Sequence, residues 1–398
     1  MDSHYCIASS TRKYLDSKLT IKKMYEQFIE YYNENLPTES SGQDIRIPSQ
    51  KVYRDLFCNE YNLSFFHPKK DQCATCAARD HDTAGTDNEY TRLFEEHMKQ
   101  KNLAQNEKRK DKDASCADDT YIMATFDMQS ILQLPTSELG PVYYKRKLVL
   151  HNFTIYEGKI PNRGFCYLWP ETAGKRGANE IGTCIIKYLK SLDEKVKKVT
   201  FFSDSCCGQN RNQYICALLL HAVQSLPIDV IEHKFLVPGR HTMMECDSMH
   251  SAIEYAQKNL SVFSLHEWIN VLKTARRHNP YKVELLDHTE FFDLKALAKQ
   301  LVTNRNKSDH ESVKWPAIRA IRVEKAHPDM IFLKSDFSEP EFDIMKQRKS
   351  RSKQVLKPAY KHQLPISSAK YNDLCPVFCV IGFIGCVCLS VLSTRSVF

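Results

Sequence analysis

The sequence predicts an α/β protein, a mixed sheet flanked by helices, with a helical region before the sheet and an α+β extension after it. Two observations carry that expectation. From Asp119 the chain breaks into short apolar runs bounded by Gly, Pro, Asn and Asp, and helical periodicity returns between them over 179–192, 214–223 and 245–259. The composition, 42% hydrophobic and 26% charged over 398 residues, suits a globular chain of two or three domains and excludes general disorder.

Net charge is +8 and the pI near 8.7, which suits a polyanionic partner without specifying one. The 15 cysteines are scattered, apart from Cys73-Ala-Thr-Cys76 and the adjacent Cys206 and Cys207, in a chain too long to need disulfide staples. Met1–Cys6 carries no basic run ahead of an apolar one, so no secretory signal is expected. A reducing compartment, nucleus or cytoplasm, follows.

Taking the elements in order, residues 1–88 read as a helical region with a zinc clip. Leu15, Leu19, Met24, Tyr25, Phe28 and Ile29 lie at helical spacing over 13–33, and Ser49 can cap a second helix over 52–60. These helices are either the remains of a DNA-binding module or a brace for the next domain. The two-residue gap of Cys73 and Cys76 lets both thiolates meet one tetrahedral Zn²⁺; His4, Cys6, Cys58, His67 and His81 are the candidates to complete the site, with His4 and Cys6 favoured because they too are closely spaced. Residues 89–118 mix lysines and acids so evenly that they read as a solvent-facing helical linker.

The core spans 119–262. Strands are expected at 121–127, within 142–156, and at 164–169, then a helix at 179–192, a strand at 199–203, a helix at 214–223, a strand at 228–237 and a helix at 245–259. The order is β-β-β-α-β-α-β-α. Within it Lys198-Val-Thr-Phe-Phe-Ser-Asp204 delivers a carboxylate to the mouth of a Gly-containing turn, where Asp204 is either a metal ligand or, like Asn210, the cap that starts the next helix. Gln209, Asn210 and Arg211 sit where backbone and side-chain donors can hold a phosphate, or merely shape the turn.

In that order of elements the chain resembles the ribonuclease H-like core of DDE/DDD transposases, integrases and nucleases. With Cys73-x-x-Cys76 the likeness extends over residues 4–340 to an uncharacterised class of transposon-derived animal proteins, whose members usually carry further sequence before the His4-Tyr-Cys6 region. The resemblance implies three carboxylates at fixed places: on the first strand, just after the fourth, and on the helix after the fifth. Here those places hold Asp127, Asp204 and Asp247, with Glu254 on the same helix as the alternative third acid. It also implies that His241, in Gly239-Arg240-His241, protonates the leaving group or assists product release, with Arg240 beside it on the nucleic acid. Phosphodiester attack is helped by two divalent ions about 4 Å apart, and Mg²⁺ or Mn²⁺ takes oxygen ligands, which is why acids should converge. DNA is the expected partner, metal-dependent hydrolysis or strand transfer the expected activity, and a homo-oligomer the expected state. A catalytically inactive DNA- or protein-binding module is the alternative.

Beyond the core, 263–340 read as an accessory α+β extension made basic by Arg319, Arg322, Lys325 and Lys334. Residues 341–374 form a basic tail containing Lys346-Gln-Arg-Lys-Ser-Arg-Ser-Lys353, a nuclear-localisation or phosphate-binding pattern. The uncharged run 376–392 within 375–398 is at the lower length limit for spanning a bilayer; a tail anchor is the lesser expectation, and a membrane is not the expected partner.

Overall fold

Aromatic side chains at helical spacing organise the N-terminal unit, Met1–Gln72, which is distinct from a larger unit, Cys73–Phe398. The computed structural model describes residues 13–16, 19–35, 47–65, 75–76, 89–237, 244–348 and 355–380. In the first unit, strand β1 (Lys13–Leu15) pairs in parallel with β2 (Leu63–Phe65). Helix α1 (Ile21–Asn35) sets Tyr25 and Phe28 against Tyr53 of α2 (Gln50–Glu60), with ring centroids 5.6 and 5.4 Å apart. The Ser49 hydroxyl caps α2 by accepting the Val52 N–H at 3.4 Å. The expected first helix loses its start, because Lys13–Leu15 pair with β2 instead.

The second unit opens on α3 (Glu89–Ala117) and continues β3 (Tyr121–Met128), β4 (Leu132–Leu134), α4 (Gly140–Tyr143), β5 (Leu148–Glu157), β6 (Gly164–Pro170) and α5 (Ala178–Lys190). Then follow β7 (Lys198–Ser203), α6 (Gln213–Ser225), β8 (Val230–Phe235), α7 (Glu245–Gln257), α8 (Leu265–Thr274), β9 (Lys282–Leu285) and α9 (Leu294–Leu301). Strands β10 (Ala320–Glu324), β11 (Met330–Lys334) and β12 (Asp343–Lys346) and helix α10 (Ser368–Val380) complete it. The protein is α/β, with a mixed 10-stranded sheet in the order β12-β11-β10-β8-β7-β3-β5-β6-β9 and β4 paired to β5 off that path. Strands β3, β7 and β8 are mutually parallel, while β5 runs antiparallel between β3 and β6.

Period-two alternation assigns the sheet's two faces. Phe126 and Phe201 point to a core built with Ile185 of α5, Leu218 of α6 and Leu297 of α9. On the opposite face, Met123 and Phe202 pack with Ala104 of α3 and Cys246 of α7, and further along Leu150 and Leu168 meet Ile253 of α7 and Trp268 of α8. The helices therefore sandwich the sheet, and the second face carries α3 and α7 side by side.

Four expectations change. The 142–156 strand begins only at Leu148, because Pro141 starts the short helix α4 and Tyr143 and Tyr144 turn outward. The extension and the start of the tail are continuous with the core, since β9 joins β6 and β10–β12 extend from β8. Asn212, rather than Asp204 or Asn210, caps α6, its side chain accepting from the N–H groups of Tyr214 and Ile215. Finally, α3 is a helix over the expected range but is docked rather than solvated. It buries Lys108, Asp111 and Ser115, and its Glu107 and Asp111 bind Lys234 of β8 at 2.9 and 2.7 Å.

Burial alone would pull the Lys234 ammonium down, yet Asp111, Glu232 and Glu107 outweigh it and hold the group at about 12. Lys234→Ala takes from Asp111 its ammonium partner and, among the described residues, leaves Glu107 and Glu232 with only Lys110 and Arg322 at their outer sides. We expect a loss of about 3–5 kcal/mol of folding free energy by urea denaturation; a loss below about 1 kcal/mol would show that α3 is not anchored there.

Among the described residues no helix is long and apolar enough to cross a membrane. Helix α10 enters the apolar C-terminal stretch with Pro376 inside it, and 381–398 lie outside the described residues.

Candidate metal centre

Sheet register builds the site before any loop is considered. In the parallel β3–β7 pair Thr125 stands opposite Phe202, so two residues further on Asp127 falls beside Asp204. On its other side Asp127 stands opposite Thr154 of antiparallel β5. Adjacent strands are about 4.8 Å apart, so Thr154, Asp127 and Asp204 form one row across the sheet on the face that carries α7. This row lies where β3 and β7 end and the chain leaves the sheet, the usual place for ligands in open α/β folds.

Helix α7 lays the next groups over that row. Asp247 and His250, three residues apart on one helix face, come to Asp127 so that ligand atoms of all three lie within 4.8 Å of one another. The Asp247 carboxylate also closes the start of α7 by accepting the Met244 N–H at 3.0 Å, which leaves lone pairs on both oxygens available. Glu254, the alternative third acid, is two turns further along, exposed, and accepts a hydrogen bond from Ser130 at 3.3 Å. The acid that approaches Asp127 is Asp247.

His250 carried no role in the sequence reading. The Thr154 hydroxyl has one proton and donates it to the Asp127 carbonyl at 3.1 Å. Its oxygen therefore accepts from His250 Nε2–H at 2.8 Å, and Nδ1 keeps its lone pair. Burial, reinforced by Arg176, pushes the imidazole down to about 4, so it is neutral at pH 7 and suited to be a ligand. The available signal was Asp247-x-x-His250, an acid and an imidazole one turn apart.

The acids repel. Burial first, and then the charges of Asp204 and Asp247, push Asp127 up to about 7, against the relief given by the Met128 N–H and Arg176. Burial also raises Asp204 above the usual carboxylate range, although the Cys206 N–H, Asn210, Arg211 and Arg176 oppose it. Asp247 is raised by burial, opposed by the Met244 N–H and Lys108. A cation at this point would relieve all three together.

The turn after β7 serves Asp204. The Cys206 N–H reaches its Oδ1 at 3.4 Å, and the Asn210 side-chain amide donates to the same oxygen. Asn210 is buried, as is Arg211, whose guanidinium donates to the Ile318 carbonyl at 3.4 Å. Gln209 is half-buried, with its carbonyl accepting from Asn212 at 3.2 Å. Asn210 thus orients the acid, while the Gln209 carbonyl and Arg211 help to shape the turn.

The exposed cation at the site is Arg176, which the sequence reading passed over. One of its guanidinium nitrogens donates to the carbonyls of Met128 and Gln129 at 3.3 and 3.1 Å. Its loop is clamped by buried Glu180, which accepts from the N–H groups of Lys175 and Gly177 at 3.2 and 3.0 Å.

Of the other expected site residues, Cys76 is half-buried. Its proposed zinc partners His4, Cys6 and Cys73 lie outside the described residues, as do Arg240 and His241.

Comparison with known proteins gives one family match, to a model described as "Domain of unknown function (DUF7869)", over residues 154–325. The matched segment holds Thr154, Arg176, Asp204, Asp247 and His250, and it begins after Asp127. No curated protein matches the chain. No solved structure matches it either.

Proposed function

We propose that the chain is a transposase-derived, DNA-processing protein with a ribonuclease H-like core, cleaving or joining phosphodiesters at the Asp127–Asp204–Asp247 cluster. The observation that carries this reading is that Asp247 and His250 of one helix come within ligand reach of Asp127, whose carboxyl is pushed up to about 7 by burial and the charges of Asp204 and Asp247, with Asp204 at the end of the adjacent parallel strand. Apart from the short insertions β4 and α4, the order β-β-β-α-β-α-β-α and the antiparallel β5 support the fold assignment.

Three acids and one neutral imidazole fit Mg²⁺ or Mn²⁺, with the nitrogen donor favouring Mn²⁺. Bound divalent ions in such a shell supply activation of the attacking oxygen and stabilisation of the leaving one. Asp127, Asp204 and Asp247 would hold such ions through carboxylate oxygens, and His250 would add a nitrogen donor. Asn210 keeps the Asp204 carboxylate oriented, and Arg176 faces the substrate phosphate from the rim.

Purified protein with Mg²⁺ or Mn²⁺ and end-labelled DNA tests the reading. Metal-dependent nicking that Asp204→Ala removes is the expected result; no nicking, or nicking indifferent to that change, overturns it and leaves a binding module. Asn210→Ala should lower Mn²⁺ affinity by about 10–100-fold with the fold intact, measured by calorimetric titration against the circular-dichroism melt. Unchanged affinity would remove the supporting role of Asn210.

A further inference from the structure

Toward the C-terminal end of α7, away from the acids, lies a cleft of about 760 Å³. One wall is the segment between β4 and β5, including Tyr143 and Lys147; the other is the end of α7 and its exit, including Lys258 and Leu260. The volume lies within the range of about 300–1,000 Å³ typical of ligand sites.

Three features of this cleft point to an anionic, aromatic ligand. Large side chains are turned to solvent around it: Tyr143 is 61% exposed, and Tyr144 and Tyr255 nearby are 87% and 82% exposed. The charge is uneven, since Lys147 and Lys258 face one acid, Glu138, within the lining. At the rim, Lys145 and Arg146 share a single carboxylate, Asp373, at 3.4 and 2.6 Å. Lys147 is half-buried without a hydrogen bond or carboxylate partner among the described residues, and burial lowers its pKa. A partly desolvated ammonium with no anionic partner is suited to receive a negative group.

Helix α7 links the cleft to the acid cluster. Helix α7 carries Asp247 and His250 in its first half, Glu254 tied to Ser130 in the middle, and Lys258 as its C-cap. From Asp247 to Lys258 is about 16 Å along the axis, at about 1.5 Å per residue.

We propose that this cleft is a track for an unpaired nucleic-acid strand, with Tyr143 stacking on a base and Lys147 and Lys258 holding phosphates. The proposal rests on the reading of the acid cluster as a DNA-processing site and names the form of its substrate. Exposed tyrosine rings stack on bases that a duplex keeps paired, whereas lysines alone would accept either form.

The test is fluorescence anisotropy on the full chain with labelled oligothymidylate and a duplex of equal length, in Ca²⁺ so that binding is measured without turnover. The wild type should bind the single strand more tightly than the duplex. Tyr143→Ala should weaken that binding about tenfold, and Tyr143→Phe should restore it. Lys147→Gln should reduce the slope of log affinity against log salt by about 0.7, the value for one phosphate contact on a single strand. Both side chains are outside the core, and circular-dichroism melts establish that the variants fold. Duplex preference, or unchanged affinity and salt slope in the Tyr143→Ala and Lys147→Gln variants, overturns the track. If the wild type nicks DNA in Mn²⁺ while those variants bind normally, the track fails and the proposed function stands. If they lose oligonucleotide binding while no metal-dependent nicking is seen, the function fails and the track stands.

Discussion

Asp127→Asn should remove metal-dependent nicking by about a thousandfold or more while making the metal-free protein harder to unfold at pH 8. The two effects have one cause. Asp127 sits between Asp204 and Asp247, and burial together with their charges pushes it up to about 7, so at pH 8 the folded chain holds a charge that its surroundings disfavour. Asparagine keeps the shape and removes the charge, which relieves the repulsion and also removes the central ligand. A site that spends stability on function gains stability when the functional group is lost, and groups acting as one unit lose nearly all activity together. The check is a nicking assay beside a thermal melt of the same preparation. A variant that loses both activity and stability would show Asp127 to be a structural carboxylate.

The second expected result is a pH dependence of metal binding with its break near 7. The ordinary aspartate value is 3.8 and the folded value about 7, so between them the folded chain binds a proton that the unfolded chain does not. Through this group, stability of the metal-free protein is present at the acid end and is lost as pH rises through about 7. Asp204 and Asp247, also raised, act in the same direction. His151, His233 and His250, lowered by burial to about 4, 3 and 4, act in the opposite one: their contribution is lost as pH falls below 6.5. Arg176 is the facing cation and favours the charged acids. A divalent ion must displace the proton on Asp127, so apparent Mn²⁺ affinity should fall about tenfold per pH unit below 7 and level off above it. Calorimetric titrations from pH 5.5 to 8.5 measure this. In Asp127→Asn the break should vanish; an unchanged break would assign it to another group.

How much of this was legible in the sequence depended on whether the physics was local. Asp127 and Asp204 each end an apolar run, so both could be placed at strand ends, but only the β3–β7 register sets them side by side. Asp247 and Glu254 share one helix seven residues apart, and periodicity treats them nearly alike; the placement of the helix start over the sheet separates them. His250 looked like any mid-helix histidine, because its partner Thr154 lies 96 residues away. Arg176 lay in a loop with no pattern. Helix α3 was misread as solvated because Lys234, the cation that neutralises its Glu107 and Asp111, is 127 and 123 residues distant. Gln209, Asn210 and Arg211 offered donors in the right neighbourhood, and the sequence had no means of showing that two of them are buried.

Anomalous diffraction from Mn²⁺-soaked crystals of the full chain tests the central claim most directly. The account predicts an anomalous peak at Asp127, shared with carboxylate oxygens of Asp204 and Asp247 and a nitrogen of His250, at ligand distances of about 2.0–2.2 Å. Crystals that take up Mn²⁺ elsewhere while these carboxylates stay without an ion would contradict it.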